Sequence, residues 1–156
     1  MKIAYSQLPA KPDAVFPNRQ SVGRPIAPLL LEKHGKMLSV LAIVDSGADI
    51  CLFPASFAAA LGISIPNPLA YVFSGTTNHP QIAYFDKIKV TILDLLDSQQ
   101  SISFDLNAGF CDTLEHVGLG LLGQEGFFSR FDVCFHQTES SFEIKGARYS
   151  KRFSVP

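Results

Sequence analysis

Asp45-Ser46-Gly47-Ala48-Asp49 stands directly after an apolar run, Leu38 to Val44, and occurs once in the 156-residue chain. A buried strand ending in Asp-Ser-Gly delivers one carboxylate to a sharp turn, with a hydroxyl beside it and a bare backbone after it. Two carboxylates held close together cannot both ionise readily, so they share one proton. Such a pair draws a proton from water with one oxygen and gives one to a carbonyl oxygen with another. A single copy of the motif is half of that device. The other half must come from a second chain.

Several segments are expected to position this turn. Ile26 to Leu31, then Glu32 to Lys36, then Met37 to Val44 reads as strand, turn, strand, with Gly35 supplying the positive φ that the turn favours. Ile50-Cys51-Leu52-Phe53 is a further short strand. Pro54 to Gly62 predicts a helix, with Pro at its first turn, good helix formers inside and Gly as its stop. Tyr71-Val72-Phe73 and Gln81 to Phe85 predict the arms of a long hairpin whose tip runs from Ser74 through Gly75, Thr76, Thr77 and Asn78. Ile88 to Ile92 and Ile102 to Leu106 alternate apolar and polar residues, as half-buried strands do. Leu119 to Gly123 precedes a second short helix, Gln124 to Arg130, and then a closing hairpin of Asp132 to His136 with Ser141 to Lys145. Four prolines among polar residues between positions 6 and 25 predict an extended N-terminal arm over residues 1–25. The expected organisation is therefore an arm, one domain over 26–146 and a tail over 147–156. The class is all-β, mostly antiparallel, with one or two short helices.

Composition narrows the function. A 17.0 kDa chain with 47% hydrophobic and 17% charged residues has the makings of one packed core and not of a disordered segment. No uncharged apolar stretch approaches the ~18 residues of a membrane helix. The first residues lack the apolar block of a secretory signal, so a cytoplasmic protein without membrane contact is expected. Net charge is −1, with basic ends: five Lys/Arg against two acids over residues 1–35, and four against one over 143–156. Nothing between those ends has the interleaved aromatic and basic character of a nucleic-acid surface, so no nucleic-acid partner is expected. Cys51, Cys111 and Cys134 are an odd number without Cys-x-x-Cys spacing, each in an apolar setting, and read as buried free thiols. His34, His79, His116 and His136 lack metal-ligand spacing. Neither a metal nor another cofactor is expected.

On three ordered features the chain resembles the retropepsin-like aspartic proteases, the single-domain, homodimeric branch related to the retroviral enzymes. Leu41 to Asp49 is similar to that family's apolar strand followed by Asp-Thr/Ser-Gly-Ala. Leu121-Leu122-Gly123 is similar to its second signature, two apolar residues and a glycine. The hairpin around Ser74-Gly75-Thr76 falls between them, where the family carries its flap. The match covers residues 26–145. Asp-Ser-Gly alone is an ordinary turn sequence; the order of the three features carries the likeness.

The resemblance implies a closed β barrel or sandwich and an endopeptidase that acts on peptide or protein substrates. Asp45 of each chain would form the dyad. Ser46 would brace it across the twofold axis, and Gly47 would bring its N–H to the carboxylates. Ala48, Asp49, Ser74, Gly75 and Thr76 would contact substrate. Gly123 would permit a close crossing beneath the loop, with Leu121 and Leu122 packed below. A hydroxyl at position 48 would donate to the ionised dyad and favour acidic operation; alanine cannot, so activity from mildly acidic to neutral pH is expected. Two departures stand out. Retroviral relatives follow the second-signature glycine with arginine, where this chain has Gln124, and their flaps hold several glycines against Gly75 alone. In relatives the termini form much of the dimer contact, which makes Met1-Ile3-Tyr5 and Tyr149 to Phe153 the candidates. The alternative is a catalytically silent dimerisation or peptide-binding module on the same fold.

Overall fold

A computed structural model describes residues 1–74, 79–94 and 101–146 of the protein. The hairpin tip Gly75, Thr76, Thr77, Asn78 and the tail 147–156, with the candidate contact Tyr149 to Phe153, lie outside the described residues.

The strand pair before the motif forms as its sequence predicts: β4 (Ile26–Lys33) and β5 (Lys36–Val44) pair antiparallel, and Gly35 at φ 73° turns the chain between them. After the Asp45 turn come β6 (Leu52–Pro54) and α1 (Ala55–Leu61). Gly62 closes the helix in the left-handed conformation, and the Glu115 carboxylate accepts the Ser56 N–H at 2.6 Å near its start. The hairpin arms are β7 (Ala70–Ser74) and β8 (Pro80–Leu93), and β8 also pairs along β9 (Ser101–Cys111). Gln81–Phe85 and Ile88–Ile92, expected as two strands, are therefore one. The polar Asp86-Lys87 does not break it, because Lys33 holds the Asp86 carboxylate at 3.0 Å and the Lys87 carbonyl at 2.7 Å.

The three residues of β10 (Gly120–Leu122) lie between β5 and β6, parallel to the first and antiparallel to the second. A β4–β8 pairing then closes β4, β5, β10, β6, β9 and β8 into a six-stranded barrel, so the expectation of an all-β closed barrel holds. Its interior holds Phe53, Phe110, Phe127, Leu106, Ile88 and Leu122, all essentially inaccessible.

Three expectations are corrected. Gln124 to Arg130 is a series of turns and not a second helix: Gly126 sits at φ 98°, outside helical space, and its N–H bonds the Ser129 hydroxyl at 3.1 Å. Residues 1–25 are not a free arm. β1 (Lys2–Ala4) pairs with β12 (Ser141–Gly146), which pairs in turn with β11 (Phe131–His136), while β2 (Ser6–Pro9) and β3 (Ser21–Arg24) form a separate hairpin. Cys134 is exposed, since β11 turns Phe131 and Val133 toward the core and so points the alternate residue outward. Cys51 and Cys111 are buried free thiols as expected. Among the described residues no helix is long and apolar enough to cross a membrane.

Candidate active site

Asp45 sits where β5 leaves the barrel. Its N–H still donates to the Leu122 carbonyl at 3.1 Å, which prolongs the β5–β10 register of Val44 opposite Leu122 by one bond. The chain then turns: the Ala48 N–H donates to the Asp45 carbonyl at 3.2 Å, and the Gly47 N–H donates to the Asp45 side-chain Oδ1 at 2.9 Å. That second bond fixes the carboxylate's orientation within one chain. Asp45 is half-buried while Ser46, Gly47 and Asp49 are exposed, so the carboxylate stands at the mouth of the barrel. Neither Asp45 nor Asp49 has an ion-pair partner among the described residues.

The segment after β10 holds this loop from below. Gln124 and Glu125 donate their N–H groups to the carbonyls of Ala48 and Asp49, each at 2.8 Å. A Cβ at Gly123 would lie 2.6 Å from the Ala48 carbonyl oxygen and closer still to that of Ile50, so only glycine lets the two backbones cross. Leu122 is fully buried beneath, and half-buried Leu121 packs on Leu52, Ala83 and Cys111. The side-chain amide of Gln124 donates to the Ser46 carbonyl at 2.7 Å. It therefore braces the Asp45 turn.

Cys51 is a support that the sequence presents only as an apolar thiol. Its Sγ receives the Gly123 N–H at 3.3 Å and donates to the Glu125 carbonyl at 3.3 Å, tying the strand after the loop to the crossing segment. Burial pushes this thiol up to about 11, partly offset by the Gly123 N–H, so it stays protonated and serves as a donor. The one sequence signal for it is its place at the second residue after Asp49, on the inward side of a short strand.

A cleft of about 300 Å³ opens beside the loop, with Gly47, Ala48 and Asp49 on one wall and Tyr71, Phe73 and Ser74 of β7 on the other. Ser74 lines this cleft across from the loop, while Gly75 and Thr76 lie outside the described residues. A larger hollow of about 560 Å³ shares Ile50 and Tyr71 with that cleft and continues to Asn107, Glu125 and Arg130. Ile50 and Tyr71, which sequence reasoning read only as strand residues, form the ridge between the two. Among the described residues no group of three or more His, Cys, Asp or Glu is placed to hold a metal ion. No known family model matches this chain, and no curated protein matches it significantly.

Proposed function

We propose that the protein is an aspartic endopeptidase of the retropepsin-like kind, working as a homodimer in which Asp45 of each chain supplies one carboxylate of a shared-proton dyad. One observation carries the reading. The Asp45 carboxylate, without a cation partner among the described residues, is oriented by the Gly47 N–H in a braced loop whose following residues, Gly47 to Ile50, line a cleft facing β7. Two such carboxylates across a twofold axis hold one proton between them. The ionised one takes a proton from water as that water attacks the peptide carbonyl. The protonated one donates to the carbonyl oxygen as charge develops there. An extended peptide is the ligand shape that a cleft walled by a β-strand accepts, with alternate side chains directed to opposite walls.

A silent peptide-binding or dimerisation module uses the same cleft without turnover, and the two readings part on substitution of the carboxylate. Asp45→Asn is expected to lower cleavage of a peptide library by at least about a thousandfold, as loss of an essential catalytic group does. Its melting temperature and dimer content are expected to stay those of the parent. A pepstatin-like inhibitor is expected to raise the parent's melting temperature, because it binds only the folded form. Cleavage that survives in Asp45→Asn overturns the proposal, and a parent dimer that cuts nothing supports the silent module.

A further inference from the structure

A dyad needs a second copy of the chain, and among the described residues the outer edge of β11 is one of the strand edges open to receive it. We propose that the free edge of β11 is where two copies join, antiparallel, about a twofold axis at Cys134. This rests on the dimeric reading of the site and adds where the chains meet.

The strand at the N-terminus is already used within one chain. The Met1 ammonium donates to the Ile144 carbonyl at 3.0 Å, and the Ile144 N–H donates to the Met1 carbonyl at 2.8 Å. In an antiparallel ladder, successive residues aim their backbone groups to opposite sides. Ile144 faces β1, so Glu143 and Lys145 face β11, where they lie opposite Cys134 and Asp132. The backbone groups of Asp132, Cys134 and His136 therefore belong to β12. Those of Val133 and Phe135 point to the outer edge, where no strand of the described residues lies. The barrel has closed on itself, but this edge has neither a lysine nor a proline nor a bulge to discourage pairing, and Phe135 is 42% exposed on it.

The strand is complementary to itself. With Cys134 opposite Cys134 of the second copy, Asp132 of each copy faces His136 of the other, and Val133 faces Phe135. The residues with free backbone groups, Val133 and Phe135, then fall opposite each other as hydrogen-bonded pairs. A one-residue slip places them opposite groups already bonded to β12. A two-residue slip keeps the hydrogen bonds but breaks both Asp–His pairs. Cys134 takes the non-hydrogen-bonded position, where opposite Cα atoms are about 4.5 Å apart, a separation of about the size a disulfide spans.

Cys134 is the exposed thiol of the three, so the parent protein carries its own probe. Mild oxidation with diamide, which accepts the two electrons and two protons released by the thiols, is expected to give a covalent dimer that reductant reverses and Cys134→Ser abolishes. His136→Asp sets like charges opposite each other twice and is expected to weaken the dimer roughly tenfold in sedimentation. The double variant Asp132→His/His136→Asp is expected to restore it, with circular dichroism confirming the fold of each. A dimer that neither cross-links at Cys134 nor responds to His136→Asp overturns the proposal, as does a parent that stays monomeric. Cross-linking without cleavage would leave this interface standing and remove the protease reading; cleavage by a dimer that ignores Cys134 would do the reverse.

Discussion

The loop at Asp45 and the sheet at the chain's ends are both β structure, yet they are completed to different degrees. Around the loop, backbone groups are answered within one chain: Asp45 by Leu122, Ala48 by Gln124, Asp49 by Glu125, and Ser46 by the Gln124 side chain. In the sheet β1–β12–β11, one row of groups on β11 has no strand beside it among the described residues. On the dimeric reading, the reactive turn is shaped before a partner arrives. The partner contributes a carboxylate and not a conformation.

The sharpest way to probe that difference is to add one methyl group to a glycine in each region. Gly123→Ala drives a Cβ into the Ala48 and Ile50 carbonyls and is expected to cost about 3 kcal/mol or more in urea unfolding, at the upper end of overpacking effects. Gly146→Ala, at the end of β12, meets nothing within 4 Å and is expected to stay within about 0.5 kcal/mol of the parent. Equal costs at the two sites would erase the contrast.

A smaller effect separates the regions by pH. Burial raises the Cys51 thiol from 9.0 to about 11. Between those values the unfolded chain has lost the proton that the folded one keeps. Stability is therefore whole below pH 9 and falls through pH 11, by about 3 kcal/mol at most. Cys51→Ala is expected to flatten that alkaline slope in a melting-temperature series. At the acid end, hydrogen bonds from Lys145 and Lys2 hold Glu143 and Glu139 below the usual carboxylate range. Their contribution is present above that range and disappears as pH falls through it. Both groups are solvated, so this is the smallest effect. Lys2→Ala is expected to reduce the acid slope slightly while leaving the alkaline one intact.

Local chemistry made much of this fold legible before any coordinates. Gly35 marked the turn before the motif, Pro54 and Gly62 bounded the helix, and the alternation in β9 gave its two faces. The Leu-Leu-Gly signature anticipated that Gly123 would sit at a close backbone crossing. What escaped was non-local. Three residues of β10 are too short to show a period, and their insertion between β5 and β6 depends on partners some 70 residues away in sequence. The β1–β12 pairing joins the two ends of the described chain, which no local pattern encodes. Gln124 to Arg130 has a helical composition, but Gly126 at φ 98° lies outside helical space. The exposure of Cys134 was readable, since Phe131 and Val133 claim the inward side of a period-two strand.

The central claim is that each chain brings one carboxylate to a shared site, and mixing tests it most directly. Parent protein and Asp45→Asn are combined at fixed total concentration, allowed to exchange subunits, and assayed for peptide cleavage. If two carboxylates are required, activity follows the square of the parent fraction, so that a half-and-half mixture keeps about a quarter of it, as random pairing of independent subunits dictates. Activity that falls in simple proportion to the parent fraction would contradict the account, because each parent chain would then be working alone.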